Sequence, residues 1–93
     1  ALAAGRGRLV VDPSGRAALL VHGLEPAPAG KTYEAWIVED GTPRPAGLFR
    51  GEATVDVVLV EGTVPAGAVV AVTLEDGPVE RPTSKPVVAS QPA

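Results

Sequence analysis

The chain holds one histidine, His22, and three serines, Ser14, Ser84 and Ser90. A general base and a nucleophile must be held together, and metal ligands come in groups. His22 sits at a strand end before Gly23, with no cysteine and no second histidine to share a transition metal. Its expected role is structural. Ser14 lies in a turn, Ser90 lies near the end of the chain, and no serine occupies a Gly-x-Ser-x-Gly elbow. Glu39 and Asp40 are neighbours, and neighbours on a strand point to opposite faces, so they cannot flank one bond. Asp12, Asp40 and Asp76 adjoin turns, where a short carboxylate bonds its own backbone. Glu75, Asp76 and Glu80 are expected to form a solvated cluster at one turn. Gly5-Arg6-Gly7 lacks the further glycine and the helix that a phosphate cradle needs. The expectation is a domain without catalysis, cofactor or metal.

The elements that would carry these side chains are short strands. Gly and Pro recur too often for a helix to reach three turns, and Val and Thr alternate between turn signals. The pattern predicts strands at Arg8–Val11, Ala17–His22, Thr32–Glu39, Ala46–Phe49, Thr54–Val60, Ala68–Glu75 and Pro86–Ser90. Asp12-Pro13-Ser14-Gly15 and Asp40-Gly41 are turns. Glu25–Gly30 is a stiff proline-rich connector suited to crossing between sheets. On the fifth strand, Val55, Val57 and Leu59 alternate with Thr54, Asp56 and Val58, which predicts one core face and one partly wet face. The fold class is all-β: an antiparallel two-sheet sandwich of about seven strands, immunoglobulin-like in size. The segment Ser90-Gln91-Pro92-Ala93 is expected to fray.

With 93 residues, the chain fits one domain, residues 1–93, with a thin core and no disulfide to brace it. Its net charge of −3, with Arg and Lys scattered, argues against a nucleic-acid partner. No apolar stretch approaches the roughly 20 residues that span a bilayer. The sequence has no Met and opens at Ala1, which predicts a piece of a longer protein. Tyr33 and Trp36 are three apart on a strand and face opposite sides. One is expected in the core. The other is expected on an outer face or under the proline-rich connector, where Trp36 could alternatively stack on carbohydrate or peptide.

Three ordered segments resemble a known family. The segment from Leu24 to Val38, with Pro26, Pro28, Gly30, Lys31, Tyr33 and Trp36, is similar to an "L-P-P-x-P-x-G-K-x-Y-x-x-W" opening. Pro45-Ala46-Gly47-Leu48-Phe49 is similar to "x-A-G-x-F". Ala68–Glu75 followed by Arg81-Pro82-Thr83-Ser84-Lys85-Pro86-Val87 is similar to a "v-A-V-T-x-E" strand and a "P-T-x-P-V" ending. These resemble the C-terminal, extracytoplasmic domain of anti-sigma-K factors. Glu25 departs from the first proline, and Asp76–Arg81 stands where the family has a Gly-Gly or Gly-Ser pair. The first hairpin carries no sharp signature.

The resemblance implies a cell-membrane regulator of which this domain is the outside, sensing end. An N-terminal region would bind a sigma factor, a membrane helix would follow, and membrane proteases would release the sigma factor. Its motif positions, expected to be structural, are Tyr33, Trp36, Gly47, Phe49, Thr73, Glu75, Pro82 and Thr83. The alternative is a secreted sandwich module that binds carbohydrate or protein.

Overall fold

Asp40 and Gly41 both adopt positive φ, 51° and 77°, the backbone of a type I′ turn. That turn sets Glu39 opposite Thr42 and starts the longest hairpin of the molecule. The structure is a computed structural model, described for residues 5–52 and 54–93. Among the described residues there is no helix, and seven strands form two antiparallel sheets. They are β1 (Arg6–Val11), β2 (Ala17–His22), β3 (Thr32–Glu39), β4 (Thr42–Phe49), β5 (Val55–Val60), β6 (Val69–Glu75) and β7 (Val88–Ala89). One sheet has the order β1-β2-β5 and the other β4-β3-β6-β7. The Glu25–Gly30 connector passes from the first sheet to the second, as its stiffness predicts.

The core lies between the sheets. Leu9, Leu19, Val21, Val58 and Val60 come from one side, and Tyr33, Ala35, Ile37, Val70 and Val72 from the other. Two ring contacts fix its rim. Tyr33 stacks on Phe49 with centroids 5.4 Å apart, and the Tyr33 hydroxyl donates to the Glu25 carbonyl at 2.6 Å. Gly51 makes room for this arrangement. A Cβ there would stand 2.9 Å from the Glu25 oxygen and 3.0 Å from the Tyr33 ring.

Three expectations change. β4 starts at Thr42, so Pro43 and Pro45 lie within a strand. β4 is an edge, where missing N–H groups break no ladder. A bulge opposite Ala35 and Trp36 adds Ala46 to β4, and Gly47 follows at φ 140°. The bulge drives Ala46 into the core, and its carbonyl accepts the Glu61 N–H at 2.8 Å.

On β5 the structure turns Val55, Val57 and Leu59 outward. Val58 and Val60 are the buried pair. Both phases of this strand are apolar, so alternation alone cannot choose the inner face. The pairing of Leu19 with Val58 chooses it, because Leu19 is fully buried.

The C-terminal segment is pinned, not frayed. The Val70 N–H donates to Ser90 Oγ at 2.9 Å, and the Ser90 N–H donates to the Val70 carbonyl at 2.9 Å. The Gln91 amide makes two bonds to the backbone of Leu9, accepting its N–H at 3.1 Å and donating to its carbonyl at 2.7 Å. Ala93 and Ala68 continue the pairing.

Ser90→Ala removes the acceptor of a buried N–H and is expected to cost about 1–3 kcal/mol. Urea unfolding of the variant against the parent chain measures it, and an unchanged midpoint would contradict the pinned segment.

Candidate functional site

The outer face of the four-stranded sheet carries Glu34 and Trp36 from β3 beside Ala71, Thr73 and Glu75 from β6. An outer face of a sandwich is normally wet. Here Trp36 is 0% exposed, Glu75 1% and Glu34 3%. Trp36 lies apart from the core cluster between the sheets, so its cover comes from the other side.

The cover is the stretch 76–87, which leaves the end of β6, crosses to β3 and returns to enter β7. The Val79 N–H donates to Glu34 Oε1 at 3.1 Å, above β3. The Thr83 N–H donates to Glu75 Oε2 at 3.1 Å, and the Thr83 hydroxyl makes a short bond to Oε1. The Ser84 hydroxyl donates to the Leu74 carbonyl at 2.8 Å, and the Val87 N–H donates to the Val72 carbonyl at 2.8 Å. Lys31 meets Asp76 at 2.7 Å where the stretch begins. Pro78, Pro82 and Pro86 restrict its backbone, which lowers the entropy lost on ordering it. We refer to 76–87 as the strap.

Below the strap the polar groups form one chain. Trp36 Nε1–H donates to Thr73 Oγ1 at 2.8 Å, and the Thr73 hydroxyl donates to Glu75 Oε2 at 2.6 Å. Glu75 thus gathers donors from its own strand and from the strap. A buried carboxylate is tolerated only when its lone pairs are met in this way. Burial pushes the Glu75 carboxyl up, but the bonds from Thr73 and Thr83 outweigh it and leave the group below the ordinary glutamate range. Glu34 has the opposite balance. Burial, aided by the charge of Glu75, raises it despite the Val79 N–H.

The eight motif positions therefore fall into two groups. Trp36, Thr73, Glu75 and Thr83 meet in the chain under the strap, with Pro82 preceding Thr83 in the strap itself. Tyr33 and Phe49 stack at the core rim, and Gly47 lies in the β4 bulge. The solvated cluster expected at Glu75, Asp76 and Glu80 is corrected for Glu75, which is buried, while Asp76 and Glu80 are exposed. Trp36 lies on the outer face, the first of the two places expected for it, on the side where the strap bonds Glu34 and Glu75. Full burial also denies it the role of a stacking platform. Glu34 was missed as a site residue; its only signal is a charge on the same strand face as Trp36.

The candidate catalytic groups are apart. His22 is exposed at one end of the β1–β2 hairpin and Ser14 lies in the turn at the other. Among the described residues no three His, Asp or Glu side chains are placed to hold a metal ion. The arrangement described is a clasp that holds the strap to the sheet.

A family model described as "Anti-sigma-K factor rskA, C-terminal" matches residues 1–87. The match takes in the first hairpin, which the motifs did not reach. An uncharacterized protein in the phr 5′ region of Streptomyces griseus is 41% identical over 83 residues, covering 87% of this chain. The chain spans 35% of that relative's length. No solved structure matches.

The two glutamates predict opposite pH behaviour. A lowered folded pKa at Glu75 gives stability that is present above the ordinary glutamate range and lost as pH falls through the folded value. A raised pKa at Glu34 gives a contribution present at low pH and lost as pH rises through its folded value. Thermal melts between acid and neutral pH should show Glu75→Gln destabilised at neutral pH with a flatter acid limb. Glu34→Gln should be neutral or stabilising at neutral pH. Thr83→Val, which removes one donor to a charged acceptor, is expected to cost about 1.5–3 kcal/mol at neutral pH.

Proposed function

The chain belongs to the anti-sigma-K factor C-terminal domain family, and from that premise we propose that it is the extracytoplasmic sensing domain of a membrane-bound anti-sigma factor. The observation that carries this reading is the family match across residues 1–87. The partner of the whole protein is a sigma factor, bound through a region outside this chain. The sigma factor is released when membrane proteases cut the regulator, and this domain sets when that happens.

The role is regulatory and not catalytic. The motif side chains with the most constrained surroundings hold the strap to the sheet, as suits a domain that acts through its own folded state. The strap has no strand or helix of its own and is held to the sheet by the hydrogen bonds described, so it is the segment that would open before the sheet core. A signal that shifts the strap between closed and open states would change access to the rest of the regulator by its difference in affinity for the two.

Two measurements on the full-length parent test the proposal. Alkaline phosphatase fused after Ala93 should be active in cells, and inactivity would overturn the sidedness. Deleting residues 5–93 should uncouple a sigma-dependent reporter from stress, with the half-life of the regulator no longer responding. A reporter that still responds as in the parent would overturn the sensing role.

A further inference from the structure

Glu34 and Glu75 stand on the same outer face of the β3–β6 pair. The register sets Glu34 opposite Thr73, and Glu75 lies two residues further along β6. They are diagonal neighbours, about 7–8 Å apart by ordinary sheet geometry. Both are buried, and both bind the strap: the Val79 N–H bonds Glu34, and Thr83 bonds Glu75. The strap therefore spans two carboxylates, and a change in the charge of either acts on its bonds to the sheet.

The donors are shared unequally. Glu75 accepts three: the hydroxyls of Thr73 and Thr83, and the Thr83 N–H. Among the described residues Glu34 accepts one, the Val79 N–H. The chain under the strap also runs one way. Trp36 Nε1–H points at Thr73, and the Thr73 hydroxyl spends its single proton on Glu75. A proton on Glu75 would set a fourth donor where three already converge, so this carboxyl is held ionised. Glu34 has no such set. A charge there would be buried beside the first with one donor to meet it, so Glu34 keeps a proton that an exposed glutamate would lose.

Neighbouring charges do not offset this. Lys31 pairs with Asp76 and Arg50 with Glu52, and among the described residues no cation forms an ion pair with Glu34 or Glu75. In the strap, Glu80, Arg81 and Lys85 are exposed. On β4, Leu48 stands opposite Glu34, while Arg44 reaches the Thr63 carbonyl. β7 is Val88–Ala89 and carries no charge. His22 belongs to β2, in the other sheet.

We propose that the strap is a proton latch: it closes over Glu34 with a proton and Glu75 without one, and opening it releases that proton to the solvent. In the open state both carboxyls meet water and titrate as ordinary glutamates. Closure is therefore firmest in mildly acidic medium. It weakens as pH rises through the raised closed-state value of Glu34, and weakens again as pH falls through the lowered value of Glu75. The latch is a property of the fold and does not rest on the sensing role.

Hydrogen exchange of the 93-residue chain by NMR, corrected for the intrinsic pH dependence of chemical exchange, reads the opening at the Val79 and Thr83 amides and the Trp36 indole N–H. The opening constant should rise by up to about tenfold per pH unit above the ordinary glutamate range, the slope for one proton released. It should level off once Glu34 is ionised in the closed state as well. Amides of the β3–β6 ladder should stay better protected than those of the strap at every pH, since the strap opens with the sheet intact. Carboxyl carbon shifts of the same sample should place the Glu34 midpoint above that of Glu75, a readout that needs no variant to fold. Glu34→Gln should abolish the rise. His22→Gln, which deletes the other side chain that titrates near neutrality, should leave it unchanged. An opening constant independent of pH, a rise that survives Glu34→Gln or vanishes in His22→Gln, a Glu34 midpoint at or below that of Glu75, or equal protection of strap and ladder would overturn the proposal.

Discussion

A carboxylate buried on the outer face of a sheet is the constraint on which much of this domain depends. Glu75 has almost no contact with water, and its charge survives because Thr73 and Thr83 supply donors. If Thr83 departs, the charge is left short of partners in a place where bulk water does not replace them at once. The strap, the covering of Trp36 and the path into β7 all follow from that bond set. The same residues answer a thermodynamic difficulty of small domains. A thin core between two sheets buries a modest fraction of the chain, and a second layer over one sheet adds Trp36, the largest side chain available, to the buried surface.

The two sheets are thus finished differently. The four-stranded sheet is covered on both faces, one by the opposite sheet and one by the strap. Among the described residues the three-stranded sheet is covered on one face only, and Val10, Val55, Val57 and Leu59 are exposed on the other. Natural sequences seldom keep Val57 and Leu59 facing water without a use for them.

Much of this was legible in the residues, and the failures have physical causes. Turn chemistry was reliable because Asp40-Gly41 and Asp12–Gly15 demand backbone geometries that few other residues accept. Tyr33 and Trp36 were correctly set on opposite faces by the period of a strand. Glu75 was misread because a charge beside a turn resembles a solvated one, and its partner Thr83 lies across a loop with no periodicity. β5 was ambiguous because Val occupies both of its phases. β4 was read as too short because proline argues against a central strand and is silent about an edge. The polar C-terminal segment looked loose because Ser90 and Gln91 serve backbone groups of distant strands, which no local pattern announces.

The bond between Gln91 and Leu9 joins residues 82 apart in the chain. A polypeptide that emerges N-terminus first makes β1 and β2 long before Gln91 exists. Until then the outer backbone of Leu9 is open to any passing strand. Closing a loop of that length costs roughly 4 kcal/mol of chain entropy by the logarithmic rule, a cost set against contacts that form only when the strap and β7 are already in place. The Gln91 seal is thus the contact of β1 that the N-terminal hairpin cannot make for itself. The outer backbone of the first strand is therefore protected only by a residue from the far end of the chain.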